Sequence, residues 1–321
     1  MADFLSVSGW LLVFLQGLLF LVGAPLMVGW IRLIKSRLQN RRGPGITQPL
    51  RDLYKLFGKE VLVAHSASIV FRTAPYIVLA STLVAVSIVP LLSANLPSAM
   101  AADMIVLVGF LALGRFFLAL AGMDVGSSFG GMGSSREMLV SALAEPAMLM
   151  AVFTLAMSAH STNLSSVVEF NLGSGLILRP SFLFALLGLV LVAIAETGRI
   201  PIDNPATHLE LTMIHEAMIL EYSGRHLAMM EWAAQLKLML YGVLIANLFF
   251  PWGIATELSV MSLATGLLAV VGKLLVLGIL VAVAETVLAK MRLFKVPQYL
   301  NLAFLLTLLG LFSHVILESG T

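Results

Sequence analysis

The ionisable side chains Arg115, Glu145, Glu196, Lys237, Lys273 and Glu285 fall inside long apolar stretches of this sequence. Six acids, Asp124, Glu137, Asp203, Glu210, Glu216 and Glu221, lie at the edges of such stretches. A charge at the centre of a membrane helix costs roughly 2.5–3.5 kcal/mol on insertion scales. Such residues therefore face protein or water and mark ion or substrate routes. Glu137 and Glu145 are separated by about 80° around a helix, so both can look into one cavity. Glu210 and Glu221 are separated by about 20° and share a helix face. Lys273 and Glu285 are about 120° and about 18 Å apart on one helix, so each needs a different partner. Taken singly, each charge can be an interhelical ion pair that holds a bundle together. As a set they exceed what packing needs, and the chemistry they suit is proton or charge transfer along a hydrated path.

The elements that position these groups follow from composition. The chain has 321 residues, 60% hydrophobic and 11% charged, with mean hydropathy +1.00. Soluble domains carry about 25% charged residues. The apolar residues come in runs long enough to cross about 30 Å of hydrocarbon. Eight spans are predicted, at 8–31, 71–93, 101–122, 137–160, 181–198, 228–250, 263–288 and 297–317. The fold class is an all-α integral membrane protein, a single transmembrane domain over 1–321. The first span lacks the basic leader and cleavage site of a signal peptide and is kept as a helix.

Lysine and arginine set the orientation. One set of loops carries Arg32, Lys35, Arg37, Arg41, Arg42, Arg51, Lys55, Lys59, Arg72, Arg136, Arg199, Arg225, Lys290, Arg292 and Lys295. The opposite set carries Arg179 alone. The basic loops are expected in the cytoplasm and both termini on the outer, periplasmic side. Two cytoplasmic segments are long, 32–70 and 199–227. The first has a turn at 41–45 and an amphipathic stretch from Pro49 to Lys59. The second has a helical stretch from Thr207 to Tyr222. The outer loops read as short and plain. The basic run 32–59 is first the positive-inside signal and second a contact for lipid headgroups or a partner subunit. Nucleic acid is not an expected partner.

Other patterns carry less. The sequence has no cysteine, which excludes disulfides, thiol catalysis and cysteine-ligated clusters within the chain. His215-Glu216 begins a zinc-protease pattern, but Ile219 stands where the second histidine belongs. His208 and His215 lie about 10.5 Å apart along a helix, too far to share one metal. The glycine-rich run Gly126–Gly133 joins two spans without a preceding strand, so it reads as a tight loop that lets helices approach. The 17 methionines follow no regular spacing and read as packing residues.

Three stretches carry a family resemblance. They are Arg41-Arg42-Gly43-Pro44 with Lys55-Leu56-Phe57-Gly58-Lys59-Glu60, Arg136 with Glu145, and Ala195-Glu196-Thr197-Gly198-Arg199-Ile200-Pro201-Ile202-Asp203-Asn204-Pro205 ending in Glu221-Tyr222-Ser223-Gly224. Over nearly its whole length the chain resembles the membrane heel subunit shared by respiratory complex I and the group-4 membrane-bound [NiFe] hydrogenases, including formate hydrogenlyase. Where complex I versions place further acids, this chain has Ala206 and His208. The stretches 207–216, 124–129 with 134–137, and Ala284-Glu285-Thr286 with 292–297 look like the hydrogenase branch.

The resemblance implies a subunit of the bacterial or archaeal cytoplasmic membrane that docks a peripheral redox arm and links it to antiporter-like membrane subunits. It implies no cofactor in this chain. The [NiFe] centre and iron–sulfur clusters would lie in a hydrogenase-like large subunit and a small iron–sulfur subunit. Glu145, Glu196, Asp203, Glu210 and Glu221 would be channel or rim acids, joined in the charge pathway by Arg115, Glu137, Lys273 and Glu285. Arg41, Arg42, Gly43, Pro44, Arg199 and Tyr222 would serve the docking loops. The alternative is the quinone-chamber subunit of a complex I-like NADH:quinone oxidoreductase. A stand-alone secondary transporter would carry internal repeats and matched broken helices, and the sequence has neither.

Overall fold

The computed structural model describes residues 7–94, 97, 102–174, 179–203, 213–255 and 259–318. Among these residues the chain is helical, without a strand. The helices are α1 (Val7–Leu38), α2 (Gln48–Phe57), α3 (Ile69–Ile88), α4 (Met104–Asp124), α5 (Ser128–Ala159), α6 (Leu164–Ser174), α7 (Pro180–Glu196), α8 (His215–Ile219), α9 (Gly224–Phe249), α10 (Val260–Val287) and α11 (Val296–Ser313). Seven are long and apolar enough to cross a membrane: α1, α3, α4, α5, α9, α10, and α11 with its flanking turns. The eighth expected span is α7, which is apolar but only 17 residues long. That is about 25 Å, short of the hydrocarbon thickness. The chain is a multi-pass membrane protein.

Local chemistry sets the helix starts. Asp103 precedes α4 and accepts from the Ile105 and Val106 amides at 2.7 and 3.3 Å. Thr162 donates to its other oxygen at 2.6 Å, and this bond holds the Asp103 carboxyl below its ordinary pKa. At the other end of α4, the Asp124 carboxylate accepts from the Ser68 hydroxyl at 2.6 Å and the Ser68 amide at 2.8 Å. This ties the end of α4 to the start of α3, and Asp124 is a structural acid.

Three expectations change here. Ser127 Oγ accepts from the Gly130 amide at 3.2 Å, which starts α5 well before residue 137. The glycine-rich run is therefore the first turns of α5, with only Gly126 (φ 75°) in a turn. The close approach is real: a Cβ on Gly133 would lie 2.9 Å from Ala217 Cβ and 3.0 Å from the Ile214 carbonyl oxygen. The connection after α5, expected to be plain, holds helix α6. The expected helix from Thr207 to Tyr222 is reduced to α8 within the described residues, and positions 204–212, with Glu210, lie outside them. The amides of Ile214 and His215 are taken by the Asp203 carboxylate at 3.1 and 3.2 Å. A capped amide cannot also close a helical turn, so the helix begins afresh at His215. The amphipathic stretch after Pro49 forms α2 as expected, with Pro49 and Leu53 buried and Tyr54 outward.

Helix α9 runs through the middle. Leu236, Leu240, Val243 and Tyr241 are fully enclosed on it. The outer helices bury single stripes. On α10 these are Gly266, Val270, Leu274, Gly278, Ala282 and Glu285, three or four residues apart. Small residues close the α7–α11 contact. A Cβ on Gly188 would collide with Thr307, and one on Gly310 would sit 3.0 Å from the Ser181 carbonyl oxygen. Lipid supplies no hydrophobic drive between helices, so such contacts depend on close packing.

Gly188→Leu is expected to destabilise the protein by about 1–3 kcal/mol through overpacking. Gly109, whose Cβ position is open, provides the control. The unfolding midpoint in detergent should fall for Gly188→Leu and stay near wild type for Gly109→Leu.

Candidate functional site

The last turn of α7 ends at Glu196, and its carboxylate meets two cations from other helices. Arg115 Nη1 of α4 lies 2.6 Å from Oε1, and Lys237 Nζ of α9 lies 2.8 Å from Oε2. Arg115 Nη2 is also 3.6 Å from Glu145 Oε1 of α5. Four helices thus converge on one charge cluster. The Glu196 side chain is 1% exposed and that of Arg115 3%, whereas Glu145 is 34% exposed. Ser141, one turn earlier on α5, donates to Glu145 at 2.7 Å. Arg115 Nε finds no hydrogen-bond partner among the described residues. Buried polar groups are normally satisfied, so this edge of the cluster has spare donor capacity.

Beside the cluster is a cavity of about 180 Å³, room for several waters at about 30 Å³ each. Its wall carries the acids Glu137, Glu196, Asp203, Glu216 and Glu231 and the cations Arg32, Arg115, Arg199 and Lys237. Gln235 and His215 add polar edges, and Val28, Val78, Leu111, Leu118 and Ile219 supply an apolar side. Burial pushes the His215 imidazole pKa below its ordinary value, with Glu216 and Asp203 opposing the shift. Glu137 makes no ion pair within 4 Å among the described residues, unlike Glu196. Arg115, Lys237, Glu137, Glu145 and Glu196 together hold two cations and three carboxylates, one acid in excess. Ionisable groups spaced along a wetted wall can pass a proton through bridging water.

A second cluster sits where α10 ends. Glu285 Oε2 is 2.7 Å from Lys35 Nζ of α1, and Oε1 accepts from Arg199 Nη1 at 2.9 Å. Lys290 Nζ lies 2.6 Å from Asp203 Oδ1. Among the described residues no group of three or more His, Cys, Asp or Glu is arranged to hold a metal ion.

The structure corrects several placements. Glu145 lines the cluster but not the cavity, so Glu137 and Glu145 do not share it. Glu221 is exposed and outside the cavity wall. Glu285 is likewise off the wall. Lys273 is remote: its ammonium donates to the Phe250 carbonyl at 2.5 Å, at the C-terminal end of α9, where a cation suits the helix dipole. Tyr222 is not a surface docking residue. It is buried, stacks on Phe71 at 3.9 Å and donates to the Phe71 carbonyl at 2.8 Å. Burial pushes its phenol pKa well up. Arg199 faces Glu285 and the cavity and is 13% exposed. Arg41, Arg42, Gly43 and Pro44 are exposed on the surface.

Sequence reasoning passed over Glu231, Gln235 and Arg32 as wall residues. Glu231 and Gln235 are four apart in a largely apolar stretch, a spacing that shares one face and could have revealed them. Arg32 was hidden in the basic run that sets orientation.

Relatives sharpen the assignment. Hydrogenase-4 component C of Escherichia coli (strain K12) is 36% identical over 305 residues, covering 94% of this chain and 96% of that protein. Formate hydrogenlyase subunit 4 of the same organism is 31% identical over 284 residues, covering 88% and 92%. NADH-quinone oxidoreductase subunit 8 of Rhodothermus marinus is 28% identical over 243 residues, covering 72% and 70%. The fold matches a chain in the structure of the membrane-bound sulfane sulfur reductase, an archaeal respiratory membrane complex. That match has TM-score 0.79 and 21% identity, and covers 94% of this chain and 98% of that one. Residues 10–316 match the family model described as NADH dehydrogenase, and the chain belongs to that family, with hydrogenase and formate hydrogenlyase components among its relatives.

Proposed function

We propose that this chain is the membrane-anchoring and charge-coupling subunit of a [NiFe] hydrogenase-type or formate hydrogenlyase-like complex in a bacterial or archaeal cytoplasmic membrane. The observation that carries the reading is the buried Arg115–Glu196–Lys237 cluster opening onto an acidic cavity. The higher identity and coverage of the hydrogenase and formate hydrogenlyase relatives support that branch. The metal chemistry belongs to a large [NiFe] subunit and a small iron–sulfur subunit. The basic loops face the cytoplasm. The exposed turn 41–44 and the outward face of α2 contact the peripheral arm, and antiporter-like subunits lie alongside in the bilayer.

In this reading a redox change in the peripheral arm alters the field at the cavity. Glu137, the acid in excess beside Arg115, takes up or releases a proton through water. Glu196 stays ionised between its cations and fixes the local potential. Glu145 lies across Arg115 from Glu196 and provides the next site away from the cavity.

A second reading is the quinone-chamber subunit of a complex I-like NADH:quinone oxidoreductase. It is favoured by the apolar side of the cavity and by the NADH-quinone oxidoreductase relatives.

Three outcomes test these readings. A mild-detergent pull-down from native membranes, read by mass spectrometry, should recover a cysteine-bearing [NiFe]-type large subunit and antiporter-like subunits. Recovery with a cysteine-poor quinone-reductase homologue and NADH-oxidising partners supports the second reading, and recovery alone from intact complexes removes both. Glu137→Gln should assemble normally on a native gel yet lower turnover about a hundredfold, the low end for loss of a proton-transfer group. Undiminished turnover would remove Glu137 from the path. Glu196→Gln leaves two buried cations without their anion, and should lose about 3–5 kcal/mol of stability, seen as a lower unfolding midpoint in detergent.

A further inference from the structure

The end of α10 and the segment just after it grip one short turn three times. Glu285 Oε1 accepts from Arg199 at 2.9 Å, Lys290 Nζ meets Asp203 Oδ1 at 2.6 Å, and the Met291 amide donates to the Pro201 carbonyl at 2.8 Å. All three ties fall within residues 199–203. Arg199 and Asp203 are wall residues of the cavity, while Glu285 is not. The other oxygen of Glu285 holds Lys35 of α1 at 2.7 Å. The Glu285 side chain is 2% exposed. Both carboxylate oxygens are therefore occupied by cations, and neither is open to a water-borne relay.

The grip continues past the turn. Asp203 uses its second oxygen to hold the amides of Ile214 and His215, and His215 is also on the cavity wall. A line of direct contacts thus runs from α1 and α10, through Glu285 and Arg199, to the turn and on to the start of α8. A buried carboxylate between two cations keeps this arrangement only while it is charged, since removal leaves Lys35 and Arg199 facing each other without their anion.

We propose that Glu285 is a positioning residue: it clamps Arg199 and Lys35 so that the 199–203 turn is fixed as a wall of the charge cavity, and it does not itself carry protons. The inference rests on the charge-pathway reading for its effect on turnover, but not for its effect on the turn. It separates Glu285 from Glu137 although both are acids near the same end of the bundle. Glu137 faces the cavity, whereas Glu285 acts through Arg199.

The test uses the assembled complex. Hydrogen–deuterium exchange is followed by mass spectrometry in peptides covering 197–203 and 288–292, together with turnover against pH, for Glu285→Gln, Glu285→Asp, Lys35→Met and Glu137→Gln. Glu285→Gln should raise exchange in both peptides at least about tenfold, as expected for a local opening made easier. It should lower turnover by a similar factor at every pH, leaving the pH profile in place. Glu285→Asp, shorter but still charged, should recover part of both. Should Glu285→Gln fail to assemble, Lys35→Met removes one of the two partners and should raise exchange in the same peptides. Wild-type exchange in the variant that assembles overturns the clamp. A displaced pH profile overturns it in favour of a proton carrier. Faster exchange with full turnover in Glu285→Gln also overturns the positioning role. Glu137→Gln keeps the two ideas apart: it should leave exchange in these peptides unchanged, and its full turnover would fail the charge pathway without touching the clamp.

Discussion

The carboxylate of Glu196 has almost no contact with solvent, and Arg115 and Lys237 stand within 2.8 Å of it. Much of the bundle depends on this arrangement. The three residues come from α7, α4 and α9, and none can rotate or slide along its axis without exposing a charge to an apolar environment. Removing Glu196 leaves Lys237 without its anion and Arg115 with only the longer contact to Glu145, which is far worse than never having buried them. The cluster therefore acts as a register pin for α4, α7 and α9, beside apolar packing that includes small-residue contacts such as Gly188 and Gly310 between α7 and α11. Packing alone tolerates sliding. A charge pair does not.

The same pin creates the conditions for chemistry. Two cations fixed at one place hold a strong local field, and the cavity beside them gathers acids that are less fully paired. Glu137 on the wall of that cavity senses Arg115 without being locked to it. The division is between acids that are spent on structure and acids that remain available. Asp124 is spent tying α4 to α3, and Asp203 is spent on Lys290 and two backbone amides. Lys273 is spent on the end of α9. The structural reading of the buried residues thus holds for Asp124, Asp203 and Lys273, and the charge-coupling reading is the one proposed for Glu137.

Helix α10 joins two parts of the molecule. One stripe packs inward, and the rest of its surface is apolar and open, with Leu268, Val276, Leu280 and Val287 outward. Its far end holds the turn at 199–203 that helps to wall the cavity. A change in the position of α10 is therefore felt at the cavity through the direct Glu285–Arg199 contact and through Lys290 and Met291 in the segment that follows the helix.

Seven of the eight apolar runs and the charges within them were legible in the sequence, because crossing lipid imposes a length and a composition that any reader can count. The amphipathic α2 was legible for the same kind of reason, since its apolar positions repeat with the period of a helix. So was the need for separate partners for Lys273 and Glu285, which follows from angle and rise alone. The pairings were not. Whether Glu285 meets Lys35 or Arg199, or Arg115 meets Glu196 more closely than Glu145, depends on how each helix is rotated and shifted against residues up to 250 positions away. The early start of α5 and the break before α8 turned on single side-chain caps, Ser127 and Asp203, that compete with the apolar pattern. The sequence by itself determined that this chain crosses a membrane with charges inside it. Only the tertiary structure decided which of those charges cancel and which face the cavity, because burial and pairing are properties of neighbours brought together by folding.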